Sequence, residues 1–138
     1  MTIADTSGLL AFFNAQEPTH EAIRTIVENL TQPLVISPYV VAELDCLVAT
    51  RLGTDAAVQV LGELASGAYD LASITDGDLR SCAEIINRYR DQDIGVTDAS
   101  LVVLAERYQT TSILTLDQRH FSIIKPLTGG KHFILPDA

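Results

Sequence analysis

The sequence predicts an α/β fold built around a central parallel sheet of about five strands. Short apolar runs alternate along the chain with longer segments whose apolar residues recur at helical spacing, as expected for strands alternating with helices. The composition, 47% hydrophobic and 20% charged, is typical of a chain with a well-packed core. At 138 residues the chain has the length of one such domain, so residues 1–138 are expected to form a single unit.

The N-terminal part of the chain predicts two strands and two helices. Residues 2–4 are a short apolar run, and the Asp-Thr-Ser that follows is typical of a helix start, so the first helix extends to Phe13. A second helix begins at residues 18–19. Its apolar face contains Ala22, Ile23, Ile26, Val27 and Leu30. Residues 34–36, Leu-Val-Ile, are the second strand.

Two helices and one strand are predicted next. Ser37 is a favourable N-cap and Pro38 suits the first helical position, so a third helix begins here and ends near Gly53. Residues 54–55, Thr-Asp, cap a fourth helix. It contains the apolar residues Val58, Leu61 and Leu64. Residues 69–72 are a short third strand.

The C-terminal part predicts two further helices and two strands. Thr75 starts a fifth helix that extends through Tyr89, with Leu79, Cys82, Ile85 and Ile86 facing inward. Thr97 is expected to cap a sixth helix, whose apolar residues are Leu101, Val102, Leu104 and Ala105. Residues 112–115 and 132–135 are the last two strands, and the polar segment 90–95 is a loop.

Composition and charge restrict the classes of function. The formal charge of −9 argues against a protein that holds nucleic acid by a broad basic surface, although an enzyme acting on nucleic acid stays compatible with it. No apolar stretch approaches the roughly 20 residues that span a bilayer, and no signal-peptide pattern is present, so a cytoplasmic protein is expected. Cys46 and Cys82 lie in apolar helical segments without ligand spacing, which predicts two reduced core thiols.

Four acidic residues lie at the edges of apolar segments: Asp5, Glu43, Asp98 and Asp117. A carboxylate in such a position is costly to desolvate unless its charge is compensated. Asp5 and Asp117 follow predicted strands, and sites in open parallel sheets form beyond the carboxyl ends of the strands. Carboxylate oxygens are the preferred ligands of hard divalent cations, so the four acids predict a shared Mg²⁺ site that Mn²⁺ can also occupy.

Each acid also has a structural explanation when taken alone. Asp5 suits a helix N-cap, Asp98 a first helical turn, and Asp117 the start of a turn. Glu43 is harder to explain in this way because its neighbours are apolar. After Asp117 come Arg119 and His120. One interpretation is a phosphate contact from Arg119 and a general acid or nucleic-acid contact from His120. The alternative, equally good, is that Arg119 pairs with a nearby acid and His120 is a surface residue.

Four segments together resemble a known family. They are Asp5-Thr-Ser-Gly-Leu-Leu, the Glu43 of Ser37-Pro-Tyr-Val-Val-Ala-Glu-Leu, Thr97-Asp98-Ala-Ser, and Thr115-Leu-Asp-Gln-Arg-His-Phe. Each is a weak motif by itself, but in this order and spacing they resemble the PIN-domain family. The most similar group is the VapC toxins of VapBC toxin–antitoxin systems, particularly the mycobacterial type, and the resemblance covers essentially the whole chain.

The resemblance implies a fold, an activity and partners. The fold is an α/β/α sandwich. The activity is that of a metal-dependent endoribonuclease toxin, which cleaves structured or single-stranded RNA such as tRNA or rRNA by phosphodiester hydrolysis. The implied partners are a cognate VapB-type antitoxin that neutralises the toxin and a second copy in a homodimer, with no membrane involved.

The resemblance also assigns residues. The acidic, metal-holding and catalytic positions of the family fall on Asp5, Glu43, Asp98 and Asp117. The polar positions after the first aspartate, which are candidates for RNA or phosphate contacts, fall on Thr6 and Ser7. Some members use one more acid, for which Asp91 or Asp93 is the candidate here.

Two other functions compete with the nuclease. The first is a catalytically silent module of the same fold that binds RNA or a partner, which the intact set of four acids disfavours. The second is a phosphoryl-transfer enzyme or a receiver-type aspartate pocket. The sequence lacks the DxDx[TV] nucleophile motif and a convincing lysine at a later strand end, and both features count against it.

Overall fold

A five-stranded, all-parallel sheet forms the centre of the computed structural model, which describes residues 1–136. The strands lie in the order β3-β2-β1-β4-β5. They are β1 (Thr2–Ala4), β2 (Leu34–Ile36), β3 (Asp70–Leu71), β4 (Ser112–Leu114) and β5 (Phe133–Leu135). All five predicted strands are present within one residue of their predicted ends, and the predicted α/β class is confirmed.

Seven α-helices and one 3₁₀ turn connect the strands within the described residues. The helices are α1 (Thr6–Phe13), α2 (His20–Glu28), α3 (Pro38–Leu52), α4 (Thr54–Leu64), α5 (Asp76–Arg88), α6 (Val96–Arg107) and α7 (Gln118–Ile123). The 3₁₀ turn, Arg90–Gln92, lies in the predicted loop between α5 and α6. No helix in residues 1–136 has both the length and the apolar character needed to cross a bilayer.

Helix α6 is the central helix of the packing. Seven consecutive residues, Ala99 to Ala105, are buried. A helix that is buried all round packs against other parts of the protein on every side. Leu101 and Leu104 pack into the main core with the sheet, whereas Val102 and Val103 pack into a second cluster with Ile85 of α5. The helix therefore lies between the sheet and α5, which fixes the position of its first turn against the strand ends.

On two helices the buried face differs from the one that the apolar residues alone suggest, and the predicted inward position of Leu79 is wrong. On α4 the buried face contains Ala57, Val60 and Leu64, so Val58 and Leu61 are exposed. The apolar residues of this helix fit more than one helical face, and packing against α3 selected a different one. Leu79 of α5 is likewise exposed.

Three further differences concern helix ends and a thiol. Gly95, not Thr97, is the N-cap of α6, so Thr97 lies inside the first turn. The short helix α7 was not predicted, because the segment after Asp117 suggested only a turn. Cys46 is exposed on α3 and Cys82 is buried; both are free thiols, so only the second is a core thiol.

The sheet order creates a crevice beside β1. The chain passes from β1 to β2 on one side, while β4 pairs with β1 on the other side. Connections that leave a central strand toward opposite sides open a gap at the carboxyl ends of the strands, where ligands bind in α/β proteins. Asp5 and Asp117 follow the two strands that border this gap, β1 and β4.

Candidate active site

Asp5 is held at the end of β1 by a set of short hydrogen bonds. Its backbone N–H donates to Leu114 O of β4 at 3.0 Å, and its side chain is only 5% exposed. The carboxylate accepts from the Thr6 N–H at 2.8 Å, from the Thr115 hydroxyl at 2.6 Å and from the Ser7 hydroxyl at 3.1 Å. Asp5 is thus the N-cap of α1, and its carboxylate also lines the crevice. The capping position and the position in the crevice, both expected from the sequence, are compatible in one residue.

Asp117 is fixed at the end of β4 in a similar way. It is the N-cap of α7, and its carboxylate accepts from the backbone N–H of His120 at 3.1 Å. The Nδ1 of the His120 ring lies 2.8 Å from the other carboxylate oxygen, and Nε2 lies 3.1 Å from the carbonyl oxygen of Gln92. Each ring nitrogen therefore lies beside a hydrogen-bond acceptor, and a histidine ring with an N–H group on each nitrogen can donate to both.

Two helices supply the remaining acids. Asp98 lies half-buried in the first turn of α6, and Glu43 lies on the exposed side of α3. The N-cap of α3, Ser37, donates to the Ser100 hydroxyl of α6 at 2.8 Å, while Ser100 donates to the Thr97 carbonyl oxygen. Because this buried bond joins the first turns of the two helices, it sets the position of Asp98 relative to Glu43.

All four predicted acids line one cleft of about 400 Å³. The cleft also contains Thr6, Ser7 and His120 from the predicted set. The predicted contact Arg119 is exposed outside it, and so are the two candidates for an additional acid, Asp91 and Asp93. Those three residues therefore gain no support from the geometry.

Burial and the negative charges of neighbouring acids raise the pKa of Asp5 and of Asp98. Burial, opposed by hydrogen bonds from Thr115, Thr6 and Ser7, raises the pKa of Asp5. The pKa of Asp98 is raised from 3.8 to about 6, first by burial and then by the negative charge of Asp5. The charge of Asp117 adds to this effect, while His120 opposes it. Without a cation, the cleft therefore favours a retained proton.

The donor set fits a hard cation that keeps part of its water shell. Carboxylates from four elements face the same space, which is the ligand type that Mg²⁺ and Mn²⁺ prefer. Within residues 1–136, no three His, Cys, Asp or Glu side chains are close enough to enclose an ion directly. A hydrated Mg²⁺ fits this spacing because it is commonly held by one or two carboxylates and several waters. In addition, the buried Thr6 hydroxyl lines the cleft and has no partner among the described residues.

Three residues of the site were missed from the sequence. Thr115 is fully buried and donates a hydrogen bond to the carboxylate of Asp5. Its position directly after an apolar strand is the sequence signal that could have identified it. Arg51 lines the cleft four residues beyond Leu47 and eight beyond Glu43, a helical spacing that was visible. Glu17 lines the cleft from the segment between α1 and α2, and no local pattern indicates this position.

Comparisons with known proteins agree on one family. A model of the PIN domain matches residues 2–125. Ribonuclease VapC26 of Mycobacterium tuberculosis (strain ATCC 25618 / H37Rv) is 52% identical over 134 residues, which cover 97% of this chain and 99% of that protein.

Solved structures show the same fold at low identity. The crystal structure of Mycobacterium tuberculosis VapC20, described as a sarcin–ricin loop cleaving toxin, has a TM-score of 0.76 at 19% identity, covering 82% of this chain and 87% of that one. A toxin–antitoxin complex from Klebsiella pneumoniae gives 0.67 at 14%, covering 90% and 92%. FitAcB from Neisseria gonorrhoeae gives 0.62 at 19%, covering 86% and 88%.

Proposed function

Because this chain belongs to the PIN-domain family and is a ribonuclease of the VapC type, we propose that its acidic cleft is the site of RNA hydrolysis. One observation carries the proposal: the two acids that follow β1 and β4 and the two acids of α3 and α6 meet in a single cleft at the topological switch point of the sheet. Burial, and after it the negative charges of neighbouring acids, raises the pKa of Asp98 in this cleft. Such a cluster favours a divalent cation, and we assign Mg²⁺, with Mn²⁺ as a substitute.

The roles of the acids follow from their burial and from the effect of neighbouring charges on their pKa. Asp5 is buried and accepts hydrogen bonds through both carboxylate oxygens. Burial and neighbouring carboxylates raise the pKa of Asp98. We assign these two residues to metal binding. Glu43 and Asp117 complete the shell or orient the attacking water. The chemistry that a bound divalent ion supplies is activation of water and neutralisation of phosphoryl charge.

The neighbouring polar groups position these acids and the substrate. Ser7 donates to Asp5 and accepts the backbone N–H of Leu116 at 2.9 Å, so it joins the segments after β1 and β4. The Thr6 hydroxyl, which has no partner among residues 1–136, is suited to a phosphate oxygen or an ordered water. The two bonds of His120, to Asp117 and to Gln92, make it a positioning residue for Asp117.

The partners follow from family and charge. The substrate is RNA, with tRNA or rRNA as the expected class, and the enzyme acts in the cytoplasm. A VapB-type antitoxin is the expected inhibitor, and a basic side chain suits the cleft because five carboxylates line it: Asp5, Glu17, Glu43, Asp98 and Asp117. The homodimer that the resemblance implies stays a prediction.

The decisive experiment is a metal-dependent cleavage assay with matched variants. The purified chain is incubated with total cellular RNA in EDTA, in Mg²⁺ and in Mn²⁺, and new RNA ends are mapped. We expect cleavage at defined sites only with metal, and its loss in Asp5→Asn and Asp98→Asn chains that keep their circular dichroism spectra. Asp55→Asn, which changes an exposed aspartate at the start of α4, is the control and stays active.

Two outcomes separate this function from the silent binding module. Full activity in either purified cleft variant would defeat the assignment of the acids. RNA binding without cleavage by the unmodified chain in both metals would instead favour the module. Co-expression with the product of the adjacent upstream reading frame tests the antitoxin separately, through suppression of cleavage.

A further inference from the structure

Helix α3 brings a basic residue into the acidic cleft. Glu43, Leu47 and Arg51 follow one another at intervals of four residues, so they lie on one face of the helix, and all three line the cleft. Eight helical residues span about 12 Å, which places the start of the Arg51 side chain well away from Glu43 along the helix axis. The cleft therefore has an acidic end and a basic position further along α3.

The charge of Arg51 is not paired with an acid among the described residues. In residues 1–136, the arginines that form ion pairs are Arg24, with Glu21 and Glu28, and Arg107, with Asp78. Arg51 forms no ion pair or side-chain hydrogen bond in this part of the chain, although carboxylates line the same cleft. Its five N–H donors are therefore available to a ligand.

An arginine in the last turn of a helix also has an ordinary explanation. Arg51 lies in the last turn of α3, where a positive charge interacts favourably with the helix dipole by roughly 0.3–1 kcal/mol. That explanation accounts for a basic residue at the helix end, but it does not require the residue to lie on the face that carries Glu43 and Leu47. Helix stability and ligand binding are separable by experiment.

We propose that Arg51 is a substrate-binding residue that holds a non-scissile phosphate of the RNA backbone in the cleft. The inference deepens the proposed function and rests on it. A guanidinium matches the geometry of a phosphate through paired N–H donors, and its charge persists at any physiological pH. A metal ion held by Asp5 and Asp98 would offset only part of the negative charge of the cleft, which five carboxylates line, so the RNA strand needs a second cationic contact to remain there. Arg51 thereby sets which phosphate reaches the metal-holding acids.

Equilibrium binding tests this contact without cleavage. Asp5→Asn serves as the background, and a short fluorescein-labelled single-stranded RNA of mixed sequence is the probe, followed by anisotropy over a series of salt concentrations. We expect Arg51→Gln to weaken binding about tenfold at low salt, as for a lost charge-assisted hydrogen bond. The slope of log K against log salt should fall in magnitude by about 0.7, the value for one phosphate contact on a single strand.

Two matched variants separate the contact from general charge. Arg51→Lys keeps the charge and should retain most of the salt slope, while losing the paired geometry. Lys131→Gln removes one exposed positive charge just before β5, at the amino ends of the strands and therefore opposite the cleft, and should leave the slope unchanged. Unfolding of Arg51→Gln in urea should stay close to that of the parent, which excludes a purely helix-stabilising role.

Kinetics of the cleavage-competent chain complete the test. A remote phosphate contact binds ground state and transition state alike, so Arg51→Gln should raise KM several-fold and leave kcat nearly unchanged. Equal KM and equal salt slope in Arg51→Gln and Lys131→Gln would overturn the inference while the nuclease assignment stands. If the unmodified chain cleaves nothing and the Asp5→Asn chain binds no RNA, both proposals fail.

Discussion

Thr115 donates a 2.6 Å hydrogen bond to the carboxylate of Asp5, joining the segment after β4 to the segment after β1 across 110 positions of sequence. Both residues are buried, and the same hydroxyl oxygen also accepts the backbone N–H of Asp117 at 2.9 Å. One hydroxyl therefore connects two of the four acids of the cleft. Its hydrogen bond lowers the pKa of Asp5 against the effect of burial, which raises it.

Replacing this hydroxyl by a methyl group should therefore damage both stability and site. We expect Thr115→Val to lower the free energy of unfolding by about 1.5–3 kcal/mol, because a hydrogen bond to a buried charged group is lost. The pKa of Asp5 should rise further, and cleavage should decrease. Urea unfolding and NMR titration of Asp5 measure the first two effects. Thr115→Ser, which keeps the hydroxyl, is the control; equal losses in both variants would show that the methyl packing matters and the hydrogen bond does not.

The metal-free protein should become less stable as the pH rises. The pKa of Asp98 is about 6 in the folded chain and 3.8 in the unfolded one, so the folded state binds its proton more tightly. The resulting stabilisation is complete below about pH 4 and is lost as the pH rises through about 6. The loss amounts to at most about 3 kcal/mol, given 1.36 kcal/mol for each pKa unit.

Urea unfolding in EDTA between pH 4 and pH 8, the range around the pKa of Asp98, measures this dependence. Asp98→Asn should flatten the profile, whereas Asp55→Asn should leave it as in the parent. Because deprotonated carboxylates bind metal, added Mg²⁺ should restore stability mainly above pH 6. A profile that is identical in Asp98→Asn and the parent would contradict the prediction.

Gly8 is required by the close approach of α1 to β4. A Cβ atom at this position would lie 2.3 Å from Leu114 O and 2.9 Å from Leu114 C, both backbone atoms of the central sheet. Gly8→Ala should therefore destabilise the protein by about 1–3 kcal/mol or more, although alanine is normally the better helix former. Because Asp5 and Ser7 immediately precede this contact, cleavage should fall as well.

Gly62 of α4 provides the matched control for this change. A Cβ there meets no atom within 4 Å, so Gly62→Ala should stabilise the helix by up to about 1 kcal/mol. Thermal and urea unfolding of the two variants provide the comparison. Opposite signs are expected; a stabilising effect at both positions would mean that α1 can move away from β4 without cost.

Local chemistry explains why most elements could be predicted. The N-caps Asp5, Ser37 and Thr75 each accept a hydrogen bond from the first turn of the helix that follows, as short-range sequence rules indicate. Strands β1 and β2 are short runs buried in a parallel sheet, which makes them continuous apolar segments. Local chemistry is insufficient where the pattern allows two buried faces, as on α4, where Val60 is buried and Val58 is exposed.

The sequence by itself determined the fold class, the strand positions and the four candidate acids, because periodicity, capping and charge are properties of neighbouring residues. Only the tertiary structure decided which side chains share the cleft. It brought Arg51 and Glu17 into the cleft and left Arg119 outside. It also brought the Thr115 hydroxyl within hydrogen-bond distance of Asp5. The reason is physical: strand pairing and helix packing bring together residues that are far apart in sequence, and no local pattern encodes those distances.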